Sequence, residues 1–191
     1  MNFKKIFPIT LLLWPYLMIF ILLAGLVSPA ALLGVSLVYT LMTFAVYILN
    51  IIHAWTYKSE DSYKNLAFWN MLIKLVYIPF YIIIFIIEMC LLVSIFFVGA
   101  GRDYASELVV CALYLMVVPS MYGVSAVVQA RKRGLVSTTY AVVHSILHFI
   151  LVADLISAVI LYAKLEKVYR TQKQYQYQIP GQGGMYYEQR G

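Results

Sequence analysis

Charge is what this chain has least of. Of its 191 residues, 12% are Asp, Glu, Lys or Arg, where a soluble globular protein carries about 25%. That deficit argues against a water-soluble enzyme with a solvated surface. Cysteine is scarce as well. Cys90 and Cys111 both stand in apolar runs, with no CxxC and no metal-type spacing, and read as small core residues, not as a disulfide or a zinc site. There is no GxSxG and no GxxxxGK[ST], so the familiar signatures of acyl transfer and phosphate cradling are missing. The Gly-Ala-Gly at 99–101 lacks the strand–turn–helix context of a dinucleotide fingerprint and reads as a turn. No repeat links the apolar segments.

What the chain has in quantity is apolar length. Met71 to Val98 is 28 residues with two charges, Lys74 and Glu88. A helix rises about 1.5 Å per residue, so about 20 apolar residues cross a hydrocarbon core about 30 Å thick. Similar runs occur elsewhere, and the sequence predicts an all-α transmembrane helical bundle over 1–165. Five spans are expected, at about 7–27, 31–54, 69–98, 108–128 and 138–162, with four spans as the alternative. The first run follows Lys4 and Lys5 but is longer than the 7–15 apolar residues of a signal peptide; it is expected to stay, kinked near Pro15, as the third is near Pro79. Ala30 and Gly34 offer a close-packing pair of small residues on the second span.

Trp55 to Trp69 reads as the main hydrophilic loop, with charges interleaved among aromatic rings that suit a membrane boundary. Asn50 and His53, just before it, are expected to face water. The segment 166–191 is a polar tail. Its first part is compatible with a short helical extension, and the Gln-, Tyr- and Gly-rich remainder is expected to be disordered.

The net charge of +6 implies no nucleic acid, because the cations flank apolar runs, where they set topology and meet anionic headgroups. Five spans put Lys4, Lys5, Lys58, Lys64, Arg131, Lys132 and Arg133 on one side, against Arg102 and a tail holding Lys164, Lys167, Arg170, Lys173 and Arg190. Without the tail, the balance is seven against one for a cytoplasmic N-terminus. Yet the tail cations lie near a span end, where the rule counts them. Two basic clusters flanking one crossing segment cannot both be inside. Either the tail lies outside against the rule, the preferred reading, or one segment does not cross.

Ionisable residues within apolar runs cost about 2.5–3.5 kcal/mol to insert and need a reason. Glu88 and Asp154 fall at similar depth on the five-span reading and could form a cation or proton site. His144 and His148 are four apart and share a helix face. They are weak candidates for metal or haem, since HxxxH lacks the Glu of HExxH. Lys74, near the start of the third span, can snorkel to the headgroups. The plainer reading of all five residues is hydrogen bonding that fixes helix packing. No catalytic group, resident metal or cofactor is assigned.

Three stretches carry a resemblance: NMLIKLVYIPFYIIIF at 70–85, PSMYGVSAVVQARKRG at 119–134 and HSILHFILVADLISAVILYAK at 144–164. Over about residues 65–165 the chain resembles an uncharacterised family of small multi-pass membrane proteins from Gram-positive anaerobic bacteria. The resemblance implies residence in the bacterial inner membrane and no established activity. The expected function is therefore that of a non-enzymatic accessory or interaction protein in the cell membrane. Its partners would be the lipid bilayer and a second copy or another membrane protein. The alternative is a small oligomeric transporter or proton-coupled carrier using Glu88, Asp154, His144 and His148; an intramembrane metal or haem protein ranks third.

Overall fold

The computed structural model describes residues 5–23, 29–98, 102–148 and 150–178. Six α-helices and no strand are found among them: α1 (Ile6–Leu23), α2 (Pro29–Thr56), α3 (Ser62–Val98), α4 (Arg102–Lys132), α5 (Thr138–Leu147) and α6 (Leu151–Gln178). The helices run through Pro15, Pro79 and Pro119. They also reach past the apolar runs that announce them. The loop expected over Trp55–Trp69 shrinks to 57–61, because α2 continues to Thr56 and α3 starts at Ser62. Likewise α4 starts at Arg102, within the loop expected at 99–107. The tail is helical through Gln178, further than its composition suggests, while 179–191 lie outside the described residues. Cys90 is exposed rather than in a core.

Neighbouring contacts fix the arrangement. Trp14 of α1 stacks on Tyr39 of α2 and its Nε1 donates to Thr43 at 2.8 Å, while Phe7 stacks on His53. Later residues of α2 thus meet earlier residues of α1, and the two run antiparallel. Helices α2 and α4 lie parallel: Tyr122 donates to Asn50 at 2.7 Å, Ser125 to the Ala54 carbonyl at 2.7 Å, and Gln129 to the Tyr57 carbonyl. Asn50 is therefore buried, not water-facing. Helix α3 runs antiparallel to α6, with Tyr63 donating to Gln172, Lys64 paired with Glu166, Phe68 against Tyr162, and Lys74 against Asp154.

The largest departure from expectation concerns 138–162. It is not one continuous helix. One helix, α5, ends at Leu147, and the next, α6, begins at Leu151. His148 lies beside Asp154, His144 Nδ1 is 2.7 Å from Ser157 Oγ, and the Lys164 ammonium sits 3.4 Å over the Tyr140 ring. Each step back along α5 meets a step forward along α6. A continuous helix would hold His144 and Ser157 about 20 Å apart. The segment therefore folds back as a helical hairpin, with His148 and Asp154 at its tip.

Local chemistry explains both ends of α5. Helix α4 stops in a Schellman turn: the Leu135 amide donates to the Ala130 carbonyl and the Gly134 amide to Arg131, with Gly134 at φ 70°, a left-handed conformation suited to glycine. Ser137 then caps α5, accepting from the Tyr140 amide. At the far end, Ser120 of α4 donates to the His148 carbonyl at 2.8 Å. That bond satisfies a carbonyl which the interrupted helix leaves without an intrahelical partner.

The outer surface is apolar. Leu37, Leu41, Ile48, Ile52, Ile82, Phe85 and Ile86 are exposed, and Phe96 and Phe97 are 79% and 84% exposed. Among the described residues, two helices, over Leu37–Thr56 and Ser62–Ile83, are long and apolar enough to cross a membrane.

Candidate functional site

Among the described residues, the interior of the bundle holds one group of charged side chains. Lys74 of α3, twelve residues beyond the first residue of that helix, is 2% exposed. Its ammonium pairs with the Asp154 carboxylate at the start of α6, itself 3% exposed. Because α3 begins seven residues before Trp69, Lys74 lies about 18 Å along it. The side chain is turned to Asp154 and does not snorkel to the end of the bundle. His148, fully buried, places Nδ1 2.9 Å from Asp154 Oδ1 and 3.2 Å from Lys74 Nζ. Ser120 Oγ lies 3.4 Å from both Asp154 oxygens. Taking two charges out of water costs several kcal/mol per ion, which only close pairing with further hydrogen bonds repays. The His148 and Ser120 contacts supply that support.

One nitrogen serving two neighbours has a chemical consequence. With its proton on Nδ1, His148 donates to Asp154. With the proton on Nε2, Nδ1 is a lone pair and accepts from Lys74. The two tautomers exchange partners while moving a proton from one side of the ring to the other.

The other side of the ring is also polar. His148 Nε2 is buried without a hydrogen-bond partner, and so are both amide atoms of fully buried Asn70. They converge on Gly123 of α4. A β-carbon there would stand 2.4 Å from His148 Nε2 and 2.7 Å from Asn70 Nδ2, so the two nitrogens are no more than about 5.1 Å apart, the sum of those two distances. Glycine is required here by the approach of the imidazole, since any side chain would occupy its place. A second polar group, Asn50–Tyr122–His53, lies between α2 and α4, with His53 Nδ1 3.2 Å from the Tyr122 hydroxyl.

Of the five residues singled out in the sequence, three meet: Lys74, His148 and Asp154. His144 is one turn back on α5, bonded to Ser157 and stacked near Tyr140. The two histidines thus spend their Nδ1 atoms on different partners, and no group of three His, Cys, Asp or Glu suited to a metal ion occurs among the described residues. The side chains of Glu88 and Cys111 lie outside the described residues. The backbone nevertheless separates Glu88 from Lys74 by 14 residues, about 21 Å of helix. Asp154 sits beside Lys74, so the depth shared by Glu88 and Asp154 on a five-span reading is lost once 138–162 folds back. Asn70, Ser120, Gly123 and Ser157 were not singled out. Only Asn70, an amide at the mouth of a long apolar run, gave a signal that could have found it.

A model for a family of unknown function, DUF6652, matches residues 4–167. The chain belongs to this family. The DUF6652 match takes in α1 to α5 and the part of α6 that carries Asp154, hence the whole Lys74–His148–Asp154 group, and ends before the terminal residues of α6. Comparisons with curated proteins and with solved structures give no match.

Proposed function

We propose that this DUF6652 protein is a multi-pass membrane protein of four crossing helices, α1 to α4, with α5–α6 as a re-entrant hairpin, and that it acts as a non-enzymatic accessory or interaction protein in the bilayer. The apolar outer surface supports residence in lipid. The charges support the orientation. Lys5, the 57–61 link, Arg131 to Arg133 and the cationic stretch of α6 gather at one end of the bundle, joined by Lys64–Glu166 and by Arg133 bonded to the Ser59 and Glu60 carbonyls. The positive-inside rule favours that end as cytoplasmic. The conflict between two basic clusters disappears if the segment between them returns to the side it left, entering about 15 Å, half the hydrocarbon core.

The observation that carries the role is the closed pairing of Lys74 with Asp154. It joins the hairpin tip to α3 and gives each buried charge a partner, which suits a pin for packing better than an open transport pathway. The test replaces both charges at once, Lys74→Met with Asp154→Leu. On this reading the double variant inserts and assembles as the wild type does, and wild-type proteoliposomes hold an imposed pH gradient as well as empty ones.

A second reading, a proton-coupled carrier, is favoured by one feature: the two tautomers of His148 between the Lys74–Asp154 pair and the unpartnered Asn70 amide. A gradient that collapses in wild-type proteoliposomes and persists with the double variant would establish that reading in place of the first.

A further inference from the structure

The basic end of the bundle contains a cleft of about 570 Å³ where the end of α2, the start of α3 and the end of α4 meet. Lys58, Lys132 and Arg133 line it, against a single carboxylate, Glu60. Arg133 is held in place by the Ser59 and Glu60 carbonyls and by the Tyr63 ring beneath it. Lys132 has no partner among the described residues. Ser62, the first residue of the 37-residue helix α3, also lines the cleft, so the positive end of that helix opens into it. The Ser59 hydroxyl is buried there without a hydrogen-bond partner, a donor waiting for an acceptor. At the rim, Trp55 is half exposed, as suits a ring at the boundary between headgroups and chains.

We infer that this cleft binds a phosphate group, with Lys58 and Lys132 as its charge partners, Ser59 as a neutral donor and Trp55 against the apolar part of the molecule that bears it. The chemistry is that of an anionic phospholipid headgroup at the cytoplasmic face, and a soluble phosphate offers the same oxygens. Arg133 is a positioning residue whose guanidinium orders the 57–61 link. The cleft shares no residue with the buried Lys74–Asp154 pair, Ser62 being about 18 Å from Lys74 along α3, and it does not depend on what that pair does.

The test uses the full chain in a neutral detergent. Native mass spectrometry measures retention of phosphatidylglycerol against phosphatidylcholine, and calorimetry measures inorganic phosphate. The variants are Lys58→Gln with Lys132→Gln, Trp55→Ala, and Lys167→Gln as an exposed cation on α6 outside the cleft. Each cation near an anionic surface is worth about fivefold in binding, so the double variant should lose about 25-fold for phosphatidylglycerol. Lys167→Gln should lose less than twofold. If Trp55→Ala weakens the lipid but leaves inorganic phosphate unchanged, the lipid is the source. If inorganic phosphate binds equally well in wild type and Trp55→Ala and displaces the lipid, the site takes soluble phosphate. Equal retention of the two lipids together with no heat from phosphate, or equal losses in the double variant and Lys167→Gln, overturns the inference. Neither result bears on whether the chain spans the membrane, which carbonate extraction reads separately.

Discussion

Helices α3 and α6 are joined by two ion pairs in contrasting surroundings. Lys74–Asp154 lies in the interior, its side chains 2% and 5% exposed; Lys64–Glu166 lies towards the basic end, 22% and 19% exposed, with Arg170 a further partner of the same carboxylate. Both link the same helices in the same antiparallel sense. At the half-buried pair, water can reach either partner if the other leaves. At the buried pair, nothing replaces the lost charge. The position along α3 therefore decides whether an ion pair is a minor contact or the condition for the fold around it, and the hairpin tip stands on the second kind.

The largest effect should come from breaking the buried pair on one side. Lys74→Met or Asp154→Leu alone is expected to cost about 3–5 kcal/mol, because each strands a buried charge. The double variant Lys74→Met with Asp154→Leu should recover most of that loss. Thermal unfolding of the four proteins in one detergent gives the coupling energy. A coupling below about 1 kcal/mol, the size of a surface pair, would erase the contrast between the two pairs.

Next in size is the seat of the imidazole. Gly123→Ala puts a methyl group 2.4 Å from His148 Nε2 and 2.8 Å from its Cδ2, a distance at which the ring must shift. Overpacking of this kind costs about 1–3 kcal/mol. Adding His148→Ala should relieve the clash, so the two substitutions together should cost less than the sum of the two alone; simple additivity would show that the ring does not rest on Gly123.

These expectations also mark how far the sequence could be read. Apolar run length located α1 to α4 and the segment 138–162, but not the break that divides that segment into α5 and α6. That break contains neither proline nor glycine, and a largely apolar segment of 25 residues satisfies the length of a crossing as well as it satisfies a hairpin. Its trace was indirect: basic residues on both flanks, at Arg131–Arg133 and Lys164–Lys173, which no full crossing could reconcile. Asp154 and His148 were legible as polar residues in apolar surroundings. Lys74 was legible as a charge but not as a partner, because its distance from Trp69 suggested an escape to the surface that the longer α3 does not offer. Gly123 and Ser120 carry no mark in sequence. Their roles come from the close approach of His148 and from its carbonyl, left without an intrahelical partner at the end of α5, and both arise only when the hairpin folds against α4.

The smallest effects belong to the half-buried Lys64–Glu166 pair. Lys64→Gln is expected to cost no more than about 1 kcal/mol, a shift visible in the same unfolding assay as a small fraction of the Lys74→Met loss. Its pH dependence has a defined sign. The hydrogen bond from Arg170, and then Lys64, hold the Glu166 carboxyl below its ordinary 4.5. A carboxylate lowered in the folded state contributes stability above its unfolded value and loses it as pH falls through the folded value. Wild type and Glu166→Gln should therefore differ at neutral pH and converge as the pH drops below 4.5. Curves that stay apart in acid would assign the difference to packing of the side chain rather than to its charge.

The fold-back of 138–162 underlies every comparison made above, and sidedness tests it most directly. With Cys90 and Cys111 replaced by Ala, single cysteines at Ser137 and at Lys173, both exposed, are labelled in intact cells with a membrane-impermeant reagent and again after permeabilisation. A re-entrant hairpin predicts that both positions are protected in intact cells and both label once the membrane is opened. Labelling of Lys173→Cys in intact cells while Ser137→Cys stays protected would mean that the segment crosses, and the hairpin with its buried pin would have to be abandoned.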